Sequence, residues 1–430
     1  MVSELPVVVI GAGPQGLAAA AHLVKRGMPV IVLEAGDAAG AAVSEWSHVR
    51  LLSAWSELVD AAAREILVST GWVEPTEGYP RGGEWVSGYL APLAAALGDR
   101  VRFGQRVTGV ARQGRDLTVS SARARTPFVI HTVAPNGTES RVLARAVIDA
   151  GGTWRTPNPA GADGTPALGE RTADIRHDIP DDVSALAGKH VVVIGAGHSA
   201  THAVIRLAAL ARRDRTTKVT WLLRRKAGSG LFGGGAADEL PERAALGKSA
   251  QRAVESGAVE LIRGFRVAEF TSRGIISEDG ARVEDVDAVF ALTGFRPDYS
   301  YLSEVRTSTD DVLQAVAGIA AEIDPNLHSC GSIGATGARE LVQPEKDFYI
   351  VGAKSYGRAP TFLALTGFEQ VRSVVAELAG DHEAAMRSEL VLPETGVCGG
   401  AGDFGDAPAA GSCCAAPAPQ LIQLGGIGAR

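Results

Sequence analysis

Cysteine is scarce in this chain of 430 residues, which carries only Cys330, Cys398, Cys413 and Cys414. A secreted disulfide framework packs cysteines densely into a small domain, so that class is excluded and a reducing compartment is expected. None of the four forms CxxC or CxxxxC, and none precedes Cys330, which leaves no conventional redox-active dithiol. A basic excess is missing too. Lys and Arg total 42 against 49 Asp and Glu, a net charge of −7, so nothing prepares the chain for a nucleic-acid backbone or an anionic membrane surface. No run of about 18 residues is continuously apolar, and the opening MVSELPVVVIGAG has neither a basic leader nor a cleavage site, so a cytoplasmic protein is expected. No HExxH or other ligand-spaced cluster occurs among the nine histidines, giving metal catalysis no support. What is plentiful is glycine: 52 residues, about 12% against a usual ~7%.

The length allows two or three domains, and the glycines indicate how they are arranged. Pro6 to Ile10 is a β-branched run, Gly11 to Gly16 a turn, Leu17 to Arg26 an Ala/Leu-rich helix closed by Gly27, and Pro29 to Leu33 a second apolar run. The pattern returns with His190 to Ile194, the turn Gly195 to Ala200, a helix over Thr201 to Arg213 and a strand over Lys218 to Leu223. Two parallel βαβ halves in one chain follow. Between them, Val107 to Leu143 alternates β-prone runs with turn signals such as Pro135-Asn136-Gly137, predicting an antiparallel meander. Ala146 to Ala150 and Asp287 to Leu292 each read as a strand entering a glycine turn. Phe348 to Val351 is a further strand ending at Gly352, and Pro360 to Ala379 has helical spacing. From about Pro393 the composition turns to Gly, Ala and Pro, as in a flexible tail.

Each residue of the first fingerprint, GAGPQG, has a physical reason. Gly11 makes the tight turn, Gly13 lets backbone approach a pyrophosphate, Gly16 lets helix pack on strand, and Glu34 at the next strand end suits ribose hydroxyls. The acid disfavours a 2′-phosphate, so FAD or NAD fits and NADP does not. The second copy, Gly195-Ala-Gly197-His198-Ser199-Ala200, ends its next strand in Arg224-Arg225. Guanidinium groups there suit a 2′-phosphate, making NADPH the natural ligand; the plainer reading is that both arginines cap a surface strand. Opposite charge at the two sites implies electron flow from NADPH to a bound flavin.

GAGPQG, the turn Ala150-Gly-Gly-Thr-Trp154, GAGHSA and the turn Thr293-Gly-Phe-Arg-Pro297 together resemble the flavin-containing monooxygenases and their two-dinucleotide-domain relatives, over roughly residues 5–385. The FxGxxxHxxxY linker signature of that group is only faint here, as Ile175-Arg-His177, and Ala353 follows Gly352 where disulfide reductases carry Asp. A narrower resemblance lies in His328-Ser-Cys330-Gly, Gly352 to Phe362, Thr366 to Val371 and Leu392 to Cys398. These segments look like bacterial flavoproteins found with arsenic-resistance functions, monooxygenases acting on trivalent arsenicals or antimonials. Trivalent arsenic is thiophilic, and Cys398, Cys413 and Cys414 lie close together in the tail. They read either as a substrate trap or as unstructured thiols, and Cys330 either as a fourth substrate residue or as a small core residue.

The expected architecture is α/β, with two Rossmann-like three-layer nucleotide-binding domains, an antiparallel meander and a flexible tail. The FAD domain is discontinuous, 1–157 plus 325–385; residues 158–324 form the NADPH domain and 386–430 the cysteine-bearing tail. Candidate FAD contacts are Gly11, Gly13, Pro14, Gln15, Gly16, Glu34, Val107, Gly352, Thr361 and Phe362, the last two at the start of the final helix, with Lys354 and Arg358 as further cations near the flavin. Candidate NADPH contacts are Gly195, Gly197, His198, Ser199, Ala200, Arg224 and Arg225. Trp46, His48, Arg50 and Trp55 follow the first βαβ unit, where they either face the flavin or pack. The expected reaction is NADPH-dependent oxygenation of a soft nucleophile through a flavin C4a-hydroperoxide, with O2 and a small substrate as partners. Two alternatives stay open: a flavin reductase serving another acceptor, and a flavin-bearing sensor without turnover.

Overall fold

A computed structural model describes residues 4–226, 231–232, 241–325, 336–360 and 362–390. In chain order its strands are β1 Val7–Ile10, β2 Val30–Leu33, β3 Val101–Arg102, β4 Arg106–Arg112, β5 Phe128–Val133, β6 Glu139–Ala144, β7 Ala146–Asp149, β8 Ile175–Arg176, β9 His190–Ile194, β10 Lys218–Leu223, β11 Glu260–Arg263, β12 Val267–Phe270, β13 Gly274–Ser277, β14 Arg282–Glu284, β15 Ala288–Ala291 and β16 Phe348–Ile350. Three helices matter for the sites: α1 Pro14–Lys25, α2 His198–Arg213 and α3 Ala364–Leu378.

Two five-stranded sheets dominate, in the orders β16-β7-β1-β2-β3 and β11-β10-β9-β15-β8. Every pair in both is parallel. Such sheets are covered on both faces, which is why their strands read as continuous apolar runs. In the second unit the two faces separate cleanly by residue parity. Val191, Val193 and Trp221 share a core with α2, whereas Val192, Ile194 and Leu222 pack with Phe265, Phe270 and Ile275. The latter residues belong to or border the antiparallel sheet β12-β13-β14, whose strands of four, four and three residues carry too little pattern to be expected from the sequence. The expected meander is present as the antiparallel sheet β4-β5-β6, with Gly137 in the left-handed turn between its last two strands.

Proline sets one helix boundary earlier than expected. α1 begins at Pro14, whose fixed φ suits the first helical position, rather than at Leu17. The final helix departs the other way. Leu363 is extended (φ −114°, ψ 151°) and α3 starts at Ala364, so Phe362 precedes the helix instead of opening it. Thr361, Cys330, Cys398, Cys413 and Cys414 lie outside the described residues. Among the described residues no helix is long and apolar enough to cross a membrane.

Two chain segments cross between the sheets, and they are laced together. Asn158 donates its N–H to the Gly294 carbonyl at 2.8 Å, and the Thr293 hydroxyl donates to the Asn158 carbonyl at 2.6 Å. The Arg296 guanidinium donates to Asn158 Oδ1 at 2.9 Å, and Trp154 lies against Phe295 with ring centroids 4.6 Å apart.

Candidate dinucleotide sites

At the first site, β1 ends at Ile10 and the chain turns through Gly11 with φ +96°. A Cβ there would approach the Ala150 carbonyl oxygen to 2.8 Å. At Gly16 a Cβ would sit 1.9 Å from the Gly11 carbonyl oxygen, so helix and turn touch backbone to backbone. Gly13 is different: among the described residues nothing lies within 4 Å of its absent side chain, and no side chain caps α1 behind it. The N-terminus of a twelve-residue helix without a side-chain cap is the electrostatic setting for a phosphate.

Glu34 follows β2 and is fixed by the turn itself. Its carboxylate accepts from the N–H of Ala12 and from the N–H of Gly36, both at 2.7 Å. The Glu34 carbonyl accepts from the N–H of Gln105 at 2.7 Å, which brings the start of β4, with Val107, alongside. Gln15 joins the other end of the site: its amide donates to the Ala364 carbonyl at 3.4 Å, and Cβ atoms at Gly352 and Gly367 would meet it at 3.2 and 2.5 Å. Phe362 packs edge-on to Tyr356, centroids 5.3 Å apart.

The second site repeats the geometry with the charge reversed. Gly195 (φ +130°) would put a Cβ 2.2 Å from the Leu292 carbonyl oxygen, Gly197 caps α2 with nothing among the described residues within 4 Å of a Cβ built on it, and Ala200 is fully buried at the third position. An alanine fits where Gly16 does in the first copy. Arg224 and Arg225 follow β10 as Glu34 follows β2. Arg224 donates to the Ala162 carbonyl at 2.9 Å. Burial, and then the adjoining Arg224 charge, push the Arg225 guanidinium below its usual range, a stress that an added anion relieves.

His198 opens α2, and His202 one turn on is driven down to about 4, first by burial, then by His198, Arg206 and His48. The buried Nε2 of His48 lacks a hydrogen-bond partner among the described residues. Of its sequence neighbours, Trp55 is buried in the core, Trp46 lies against Trp154 at 6.4 Å, and Arg50 donates to the Tyr79 carbonyl. Arg358 is tied to Gln314. Lys354 is fully buried and paired with Asp149, with Tyr301 beside them. Asp149 and Tyr301 had no signal in the sequence, because the partners lie far apart along the chain.

Two such units, each a parallel sheet with a glycine turn opening onto a helix N-terminus, define a two-site dinucleotide oxidoreductase. Residues 8–317 match the pyridine nucleotide-disulphide oxidoreductase family, and the chain belongs to it. As a member of that family the chain is an oxidoreductase enzyme. It is 31% identical to the indole-3-pyruvate monooxygenase YUCCA1 of Oryza sativa subsp. japonica over 195 residues, 45% of this chain and 42% of that protein. The alignment therefore spans less than half of the curated relative. Among solved structures, bacillithiol disulfide reductase from Bacillus cereus shares 21% identity at a TM-score of 0.65, covering 87% of this chain and 99% of its own. A flavin-containing monooxygenase from Stenotrophomonas maltophilia shares 23% at 0.54, covering 87% and 98%. At those identities the two structures speak for the fold alone.

Proposed function

We propose that the first glycine turn holds FAD, that the second holds NADPH, and that the chain is an NADPH-dependent monooxygenase acting on a soft nucleophilic substrate. In this reading the FAD domain comprises 1–157 plus 325–385 and the NADPH domain 158–324, with 386–430 as the tail. The observation that carries the cofactor assignment is the charge reversal between equivalent positions, a carboxylate anchored at Glu34 against guanidinium groups at Arg224 and Arg225. Open space among the described residues at Gly13 and Gly197, with closed contacts at Gly11, Gly16 and Gly195, fits a pyrophosphate at each helix start.

Bound FAD supplies the two-electron and oxygen chemistry. The chain's own residues do the rest: Glu34 holds a ribose, the α1 N-terminus faces the phosphates, and Arg224 with Arg225 hold a 2′-phosphate. The overall reaction balances as NADPH, a proton, O2 and substrate giving NADP+, water and oxygenated substrate. Oxygen transfer is favoured over disulfide exchange because no cysteine precedes Cys330. A trivalent arsenical or antimonial is the proposed substrate, with Cys330, Cys398, Cys413 and Cys414 as thiol ligands and the cytoplasm as the compartment.

Purified protein is tested with NADPH and 18O2 against trivalent arsenicals, sulfides and amines side by side. Substrate-stimulated NADPH oxidation with 18O in the product supports the reading. NADPH oxidation coupled to a disulfide or dye without 18O incorporation replaces it with a reductase, and no NADPH consumption with any acceptor replaces it with a sensor.

A further inference from the structure

Asp149 ends β7, in register with Ile10 of β1 and Ile350 of β16. It is wholly buried, and so is Lys354, whose ammonium donates to Asp149 Oδ2 and to the Tyr301 hydroxyl oxygen, both at 2.6 Å. The Tyr301 hydroxyl donates in turn to Asp149 at 2.9 Å, closing a three-membered ring of hydrogen bonds. The ammonium also lies 4.2 Å from the centre of the Tyr301 ring.

The placement of these three residues gives the ring its meaning. Asp149 stands two residues before the first crossing between the sheets, and its Oδ1 accepts from the N–H of Gly151, where that crossing begins. Tyr301 sits in the 3-10 turn Ser300–Leu302, where the second crossing returns. Lys354 sits in the turn that follows the last strand of the first sheet. Both crossings are thus anchored by one ring, directly beneath the turn in which Ala150 abuts Gly11. A Cβ at Gly151 would lie 2.9 Å from the Tyr301 hydroxyl oxygen, so the segment has no slack.

A buried ion pair adds little stability over apolar groups of the same volume, but it is directional. We infer that Asp149, Lys354 and Tyr301 are positioning residues that fix the orientation of the second unit relative to the flavin site, and so control hydride delivery from NADPH. This rests on the two-site reading above.

The test is the double variant Asp149→Asn with Lys354→Met, which removes both charges together and keeps an acceptor for Gly151 and Tyr301. FAD content and thermal midpoint report the fold, NADPH titration reports affinity, and anaerobic stopped-flow compares flavin reduction by saturating NADPH and by dithionite, which needs no second unit. The variant is expected to keep FAD, NADPH affinity and the dithionite rate, and to lose about tenfold or more in NADPH-driven reduction, the scale of ångström misplacement. Small-angle scattering reads the geometry without turnover, and a broader distance distribution is expected. Reduction by NADPH within about twofold of wild type, too small for such misplacement, or an unchanged scattering profile overturns the inference. Should the double variant lose FAD, Tyr301→Phe deletes a single hydroxyl and carries the same two measurements and the same criteria. Wild-type protein that NADPH cannot reduce overturns the two-site reading itself; normal wild-type reduction beside an equally fast variant overturns this inference alone.

Discussion

The Glu34 carboxylate accepts a hydrogen bond from the Ala12 N–H at 2.7 Å, so the end of β2 and the glycine turn after β1 are tied together. A second bond, from the Gly36 N–H at 2.7 Å, leaves little freedom in how the acid faces its ligand. Charged hydrogen bonds of this kind contribute about 1.5–3 kcal/mol each. Under the proposed assignment, Glu34→Ala removes the ribose acceptor as well as the two bonds that hold the turn. FAD affinity is expected to fall by about 30-fold or more, an order of 2 kcal/mol, read as flavin lost on dilution; retention equal to wild type contradicts the assignment.

Gly13 and Gly16 make opposite demands despite belonging to one fingerprint. Gly16→Ala drives a methyl group to within 1.9 Å of backbone, and the helix must shift off the sheet. A loss of about 2 kcal/mol or more in stability is expected even without cofactor, at the upper end for point substitutions. Gly13→Ala meets nothing within 4 Å among the described residues. Its FAD-free protein should unfold at the wild-type temperature, while FAD binding weakens because the methyl occupies the approach to the pyrophosphate.

Replacing Arg224 and Arg225 by Ala is expected to erode the preference for NADPH over NADH by about 1–3 kcal/mol, the range for charge-assisted hydrogen bonds. The measurement is the ratio of kcat/KM for the two nucleotides. A ratio that stays at its wild-type value assigns the arginines to capping the surface strand.

The parts of the fold that were legible in the sequence are those fixed by local periodicity. β9 and β10 span His190–Ile194 and Lys218–Leu223, as the apolar runs predict, because both faces of each are buried. The short strands β12 to β14 were not legible, since four-, four- and three-residue segments carry too little pattern. The start of α3 was misplaced because Leu363 extends the chain after Pro360. The ring of Asp149, Lys354 and Tyr301 was invisible for another reason: 205 and 53 residues separate Lys354 from its two partners, and only the sheet register brings them together.

A second buried ion cluster makes a separate prediction. Glu345 accepts from Arg112 and Arg123 at 2.8 Å each, tying the meander to the segment before β16. Burial alone would raise the Glu345 carboxyl, but the hydrogen bonds from Arg112 and Arg123 outweigh it and hold the group below its ordinary range. Glu345→Ala leaves two guanidinium groups buried without their shared acid, at an expected cost of about 3–5 kcal/mol, read by urea unfolding at neutral pH. Lys25→Ala, which breaks an exposed pair with Glu65, should cost no more than about 1 kcal/mol.

The histidines at the start of α2 set a pH dependence whose sign follows from His202. Burial first, and then His198, Arg206 and His48, lower it from 6.5 to about 4. Between those values the unfolded chain takes up a proton that the folded chain refuses, so stability falls as pH drops from 6.5 toward about 4 and is unaffected by this group above that window. His202→Gln removes the titration while keeping a polar side chain. The thermal midpoint of wild type is therefore expected to fall more steeply than that of the variant across the window, the two curves running parallel at neutral pH. Parallel curves throughout would mean that His202 accepts its proton in place, and that the charges around it are better screened than their burial implies.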